Sequence, residues 1–167
     1  HKRLSIIDLS KQANQPMKFE ELAIVYNGEI YNFKNIRSKL EKIGYIFQTK
    51  SDTEVVLKAF HCWKEKCVDE FEGMYSFVII DKENKKFFLF RDPMGVKPLY
   101  YFYDEKNLVF SSEARSIYKY KNFKKTLNKD SINLYFQYGF LETNDRFFNN
   151  LKQLEPSTII EFSLNQK

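Results

Sequence analysis

The chain is short of the residues that most often carry chemistry. Among its 167 residues are two cysteines, two histidines, one tryptophan, five glycines and four prolines. Cys62 and Cys67 lie five apart on a predicted helix, face different sides and so cannot easily bridge each other. Two histidines and two cysteines without ligand spacing exclude a zinc-type site. The scattered glycines form neither a phosphate-cradling loop nor a G-x-S-x-G nucleophile elbow. No apolar run approaches the roughly 18 residues that a membrane span requires, so no membrane role is expected. Charge of one sign is not concentrated either. The net charge of +5 comes from dispersed lysines, and pairs such as Lys85-Lys86 and Lys124-Lys125 sit among acidic and aromatic residues. No nucleic-acid-binding motif accompanies that charge, so no nucleic-acid partner is expected. With no secretory signal and no disulfide framework, the expected setting is reducing and cytoplasmic. There is no internal repeat and no low-complexity linker.

What is present is a globular composition, 43% hydrophobic and 29% charged, in a length suited to one domain. Arg3 to Asp8 reads as a short strand and residues 9–20 as a polar loop. The apolar run Leu22 to Tyr26 reads as a strand. Asn27-Gly28, flanked by apolar residues, predicts a tight turn, followed by a helix that Asn32 caps and in which Phe33, Ile36, Leu40 and Ile43 share one face. Gly44 ends that helix, and Tyr45 to Gln48 reads as a short extended piece. Ser51-Asp52-Thr53-Glu54 matches a capping box, and Val55, Val56, Ala59, Phe60 and Trp63 form the apolar stripe of the helix it opens. Met74 to Ile80 and Lys86 to Phe90 are apolar strands joined as a hairpin. Pro98 to Tyr103 and Leu108 to Phe110 form a second pair. Helices are expected over Glu113 to Tyr120 and Lys129 to Tyr138, and a last strand over Ser157 to Phe162. Hairpin strands with helices gathered before and after them predict an α+β class, with sheets sandwiched between helical layers.

The remaining chemistry lies in polar groups at strand ends and turns. His61 and Cys62 are adjacent on a helix and do not face each other, so they form no catalytic pair. Arg3, Asn27, Gly28, Glu29 and Asp52 could together hold a zwitterion. A guanidinium matches a carboxylate in two-point fashion, and acidic side chains accept from an ammonium. An Asn side-chain N–H and a Gly backbone N–H can converge on one oxygen, as an oxyanion hole requires. Asp52 also has an ordinary explanation, because a carboxylate in the first helical turn complements the helix dipole.

Several blocks resemble the glutaminase domain of asparagine synthetases: His1-Lys2-Arg3-Leu4-Ser5-Ile6-Ile7-Asp8, Gln15-Pro16-Met17, Asn27-Gly28-Glu29-Ile30-Tyr31-Asn32, Ser51-Asp52-Thr53-Glu54-Val55, Glu72-Gly73-Met74-Tyr75-Ser76-Phe77, Arg91-Asp92-Pro93-Met94-Gly95-Val96-Lys97-Pro98-Leu99-Tyr100-Tyr101 and Phe110-Ser111-Ser112-Glu113. They follow the family's order and spacing. The resemblance implies a class II glutamine amidotransferase with the N-terminal-nucleophile hydrolase fold, a four-layer αββα sandwich. It implies glutamine as substrate, hydrolysed to glutamate and ammonia. Arg3 would hold the α-carboxylate, and Asp52 and Glu29 the α-ammonium. Asn27 and the Gly28 N–H would stabilise the oxyanion, while the backbone around Ile6 and Ile7 lines the pocket. The Arg91–Tyr101 block would be scaffold.

The departures from that pattern are as informative. In the family the nucleophile is a processed N-terminal cysteine, a few tens of residues before the block matched by His1–Asp8, whose α-amino group, with a reference pKa of about 8, can act as general base. This chain opens on His1, and neither Cys62 nor Cys67 aligns with that cysteine. The first strand and helix of the fold are expected to lie outside it. So is the synthetase domain, with its ATP and Mg, which would be a partner in a full-length enzyme that could form a homodimer; no cofactor is expected within the glutaminase domain itself. Ser157 stands where the family often has Gly. The alternatives are a non-catalytic glutamine-binding or interaction module, and an amidotransferase of cell-surface sugar biosynthesis with another acceptor. A glutamine-analogue electrophile is expected to leave both cysteines unlabelled by mass spectrometry; stoichiometric labelling of either, with glutamate release, would identify it as the nucleophile.

Overall fold

The computed structural model describes residues 13–104, 107–141 and 146–163. Five antiparallel strands form the larger sheet: β1 (Met17–Phe19), β2 (Leu22–Ile30), β3 (Gly73–Asp81), β4 (Lys86–Arg91) and β8 (Ile159–Ser163), in spatial order β1-β2-β3-β4-β8. The smaller sheet has the order β6-β5-β7, from β5 (Tyr100–Tyr103), β6 (Leu108–Ser111) and β7 (Lys152–Gln153). Helices α1 (Phe33–Lys42) and α2 (Asp52–Trp63), with a 3-10 turn over Lys64–Glu70, lie between β2 and β3 in the chain. Helices α3 (Ala114–Ile117) and α4 (Lys129–Tyr138) follow β6.

The alternation of side chains along each strand sorts the core into three seams. Tyr26, Tyr75, Phe77, Ile79, Phe88 and Phe90 point to α1 and α2, packing with Ile36, Leu40, Val55, Val56 and Phe60. Val78 and Leu89 point the other way, to Leu99, Tyr101 and Leu154. Beyond the smaller sheet, Phe102 packs with Ile117, Phe123 and Leu151. Helix, sheet, sheet and helix are thus stacked as the αββα sandwich expected from the sequence. In the first seam Phe77 and Phe90 stack at 4.3 Å between centroids, and Phe60 meets Phe90 edge-on at 5.9 Å. Such pairs add about 1 kcal/mol beyond the area they bury.

Several local expectations are corrected. Asn27-Gly28 is not a turn: β2 runs through it, pairing Asn27 with Ser76, Gly28 with Tyr75 and Glu29 with Met74. Gly28 serves a close approach instead. A Cβ there would lie 2.2 Å from the Met74 carbonyl oxygen, and one on Gly73 would lie 2.1 Å from that of Glu29. β1 occupies part of the expected 9–20 loop. Glu113 to Tyr120 yields only the four residues of α3, whereas α4 keeps its expected bounds. Asn32 caps α1 by position only; its side chain donates to the Glu70 carbonyl (2.9 Å) and accepts from Glu72 N–H (3.1 Å). The expected Arg3–Asp8 strand lies outside the described residues.

The capping box is half formed. Ser51 Oγ accepts from Thr53 N–H (3.2 Å), but Glu54 turns away from Ser51. Glu54 accepts instead from the N–H groups of Gln48 and Thr49 and from Lys58 Nζ (2.6 Å). Burial alone would push that carboxyl up, but these donors outweigh it and leave its pKa below the ordinary glutamate value. α2 is consequently buried from Asp52 to Phe60 on every face, not along one stripe, with segment 46–49 strapped over its start.

The scarcity of glycine has a conformational consequence. Glu20, Lys64, Lys85 and Ser157 all adopt positive φ, at 51°, 52°, 53° and 56°. Side chains crowd the backbone in that region. Ser157, where the family often has glycine, lies in the turn whose N–H meets the Asp92 carbonyl (3.0 Å). Ser157→Gly is therefore expected to raise unfolding stability by up to about 1 kcal/mol, read as a higher midpoint in urea with unchanged slope.

Candidate active site

Of the residues singled out in the sequence, Asn27, Gly28 and Glu29 lie toward the end of β2 and Asp52 lies at the start of α2. Asp52 is the first residue of α2 and only 5% exposed. Its Oδ2 accepts from the Tyr26 hydroxyl (2.8 Å) and from Ile30 N–H (3.2 Å). Those two residues flank Asn27-Gly28-Glu29, so one carboxylate spans the triplet. Tyr26 is fixed in turn by Gln15, just before the start of β1, whose Oε1 takes the Tyr26 N–H (2.7 Å). The Gln15 amide also reaches Thr53 Oγ1 at 3.5 Å.

Burial raises the pKa of Asp52, and although bonds from Tyr26, Ile30 and Thr53 oppose this, the carboxyl stays above its ordinary value; the neighbouring Glu29 charge pushes the same way. Burial also pushes the Tyr26 hydroxyl far up, with Asp52 adding to it, so Tyr26 stays a neutral donor. Among the described residues no lysine or arginine forms an ion pair with Asp52 or Glu29. Two neighbouring carboxylates without a described counter-ion make a site that favours a cation.

Strand alternation puts Asn27 and Glu29 on the opposite face of β2 from Tyr26, toward the smaller sheet. A cavity of about 570 Å³ opens there, lined by Val25, Asn27, Ser76, Leu99, Phe110 and Ser112 among others. Asn27 Nδ2 donates to Ser112 Oγ at 3.1 Å. Asn27, Gly28 and Glu29 are consecutive in β2, and Asp52 bonds the residues on either side of them, close enough to Glu29 to feel its charge. Arg3, Ile6 and Ile7 lie outside the described residues. Residue-level reading missed Tyr26, Gln15 and Ser112 as site components. For Gln15 and Ser112 the signal available was their membership of the resembling blocks; Tyr26 lies outside those blocks, and a tyrosine in an apolar strand has the pattern of core.

Both cysteines lie away from this site. Cys67 is fully buried in the core, and burial raises its thiol pKa. Cys62 is half-buried near the end of α2, where the Tyr45 hydroxyl pairs with the neighbouring His61 Nδ1 (2.6 Å). Ten residues of helix separate it from Asp52, about 15 Å along the axis. Among the described residues no group of three or more His, Cys, Asp and Glu side chains could hold a metal ion, and no helix is long and apolar enough to cross a membrane.

The Arg91–Tyr101 block braces the site from behind. Asp92 is 1% exposed and accepts from the N–H groups of Tyr75 (3.3 Å), Met94 (3.1 Å), Val96 (2.9 Å) and Lys97 (3.0 Å). The Arg91 guanidinium donates to the carbonyls of Gly95, Lys97 and Leu154. Tyr75, held by Asp92, is the residue paired with Gly28.

Because the Asp52 pKa is raised on folding, its contribution to stability is present below the unfolded value of about 3.9 and lost as pH rises through the folded value. Asp52→Asn keeps an acceptor for Tyr26 and removes the buried charge. It is expected to melt at or above the parent temperature at pH 7, with the difference shrinking toward pH 4; a variant that melts several degrees lower at pH 7 would mean that the ionised carboxylate stabilises the fold.

Comparisons with known proteins bear on the family and the fold. Residues 1–167 match the family described as the glutamine amidotransferase domain. A protein of Methanocaldococcus jannaschii that bears a provisional name as a glutamine-hydrolysing asparagine synthetase is 37% identical, covering 100% of this chain and 35% of its own length. Asparagine synthetases (glutamine-hydrolysing) 3 and 1 of Bacillus subtilis are 33% and 35% identical, covering 98% and 94% of this chain. The chain spans only 27% and 25% of those two relatives. Among solved structures, the glutamine phosphoribosylpyrophosphate amidotransferase of B. subtilis superposes with a TM-score of 0.51 at 28% identity, covering 57% of this chain and 22% of that one. A structure titled as the allosteric regulatory enzyme of purine biosynthesis gives a TM-score of 0.63 at 22% identity over 91% of this chain and 30% of that one, a likeness of fold. With the family matched along its whole length, and with its α+β sandwich shared by those structures, the chain belongs to the glutamine amidotransferase domain family.

Proposed function

We propose that this domain binds glutamine and supports hydrolysis of its side-chain amide to glutamate and ammonia, and that the ammonia goes to an activated aspartate in the whole protein, which acts in the cytoplasm. The observation that carries the reading is the bond pattern of Asp52, which sets a buried carboxylate against Asn27-Gly28-Glu29. A substrate with an ammonium at one end and an amide at the other suits that arrangement. Asp52 and Glu29 take the α-ammonium, and Arg3 takes the α-carboxylate, with the backbone of Ile6 and Ile7 along the pocket wall. ATP and Mg serve the acceptor half of the reaction, in a synthetase domain that pairs with this one.

Attack of a thiolate on the amide carbon moves the carbonyl electrons onto oxygen. Asn27 Nδ2 and the Gly28 N–H stabilise that oxyanion, and its collapse expels ammonia with a proton and leaves a thioester that water hydrolyses to glutamate. Cys62 and Cys67 do not supply the thiolate, the first by its distance from Asp52 and the second by its burial and raised pKa. The nucleophile implied by the family resemblance is an N-terminal cysteine distinct from both.

Asn27→Ala in the natural polypeptide is expected to lower kcat for ammonia release by about 100-fold, with the KM for glutamine changed by less than about threefold. Asp52→Asn is expected to act mainly on KM. Absence of glutamine-dependent ammonia release in the parent would overturn the reading, as would an Asn27→Ala variant with parental kcat.

A further inference from the structure

The oxyanion-stabilising role proposed for Asn27 depends on where its carboxamide points. The torsion that sets this is broad and roughly two-fold in asparagine, so an unrestrained amide spreads its N–H groups over many directions. Here one hydrogen of Nδ2 is committed to Ser112 Oγ at 3.1 Å. An amide nitrogen carries two hydrogens, and with one fixed the planar group directs the other. Ser112 belongs to the other layer of the sandwich. It directly follows β6, whose last residue Ser111 pairs with Tyr100 of β5. On its other side, Ser111 Oγ accepts from Glu113 N–H (3.1 Å), and α3 is anchored by the fully buried Ile117.

The nearest rival does not compete. Ser76 faces Asn27 across the β2–β3 ladder, but its hydroxyl donates to the Pro98 carbonyl (3.1 Å). The surrounding cavity wall is mixed, with Val25, Leu99 and Phe110 beside Ser111, Glu113 and Ser116.

We infer that Ser112 is a positioning residue that orients the Asn27 carboxamide across the gap between the sheets, so that the second N–H of Asn27 meets the oxyanion formed from the glutamine side chain. The inference rests on the glutaminase reading for its catalytic meaning and on the Asn27–Ser112 bond for its geometry. The position of the β6–α3 junction thereby enters the rate of glutamine hydrolysis without touching the substrate.

Two measurements test it. In the natural polypeptide, Ser112→Ala is expected to lower kcat for ammonia release about tenfold while the KM for glutamine stays within about twofold, since only stabilisation of the developing charge is lost. Ser112→Thr, which keeps the hydroxyl, is expected to recover most of that loss. In the Asn27→Ala background, adding Ser112→Ala is expected to cost nothing further, because the two act as one unit. A Ser112→Ala variant with parental kcat, or one whose loss is undiminished in the Asn27→Ala background, would overturn the inference. The second measurement does not depend on turnover. In the 15N-labelled chain, one Asn27 side-chain amide proton is expected to exchange with water at least about tenfold more slowly than those of exposed asparagines, and Ser112→Ala is expected to abolish that protection. Exchange that is fast in the parent, or unchanged in the variant, would overturn the positioning role whether or not glutamine is hydrolysed. Loss of parental ammonia release with the exchange result intact would instead overturn the glutaminase reading alone.

Discussion

A single buried carboxylate ties the helical layer to the strand on which the candidate chemistry sits. Asp52 opens α2, and its Oδ2 holds Tyr26 and Ile30, either side of the Asn27-Gly28-Glu29 triplet. The bond is possible because Tyr26 points to the helical face of β2 while the helix start lies under the strand end. An aspartate in the first turn also suits the helix dipole, so the conformational reason and the site reason for Asp52 coincide. Its burial costs free energy at neutral pH and leaves the group able to accept a cation. That is the usual trade at a binding site, where local stability is given up for affinity.

A second carboxylate supports the first from the opposite side. Asp92 gathers four backbone N–H groups of which one belongs to Tyr75, the residue paired with Gly28. Arg91 beside it spends its guanidinium on three carbonyls of surrounding turns. These N–H and C=O groups of the loop, which would otherwise enter the interior unsatisfied, are thereby paired, as burial demands. Asp52 and Asp92 hold strands β2 and β3 respectively, and the triplet lies where those strands meet.

Much of the fold could be read from the sequence because its signals were periodic. The existence of α2 after Ser51, the hairpin of β3 and β4, and α4 between Asn128 and Gly139 all follow patterns that one element alone explains. The failures share a cause: a local signal was overridden by a neighbour far away in the chain. Asn27-Gly28 carries the pattern of a turn, yet the glycine answers to Met74 and Tyr75. Glu54 carries the pattern of a capping box, yet Lys58 and the backbone of Gln48 and Thr49 claim its carboxylate. Asn32 marks a helix start, but its side chain serves Glu70 and Glu72. At the site, Asn27, Gly28, Glu29 and Asp52 were legible through a family pattern. Tyr26, Gln15 and Ser112 act through partners that only the folded chain supplies.

The close approach of β2 and β3 has a consequence for how this sheet can assemble. Gly28 faces the backbone of Met74 and Tyr75, and Gly73 faces that of Glu29 and Ile30. Any slip of β2 along β3 would bring a residue with a Cβ into a space that admits only hydrogen. A hydrophobic pattern alone tolerates a shift by two, which restores the same faces to the core. The paired glycines forbid that shift as well. They act as a steric key at the end of the ladder, so that the strand bearing Asn27 has one alignment, and its amide one place relative to Ser112.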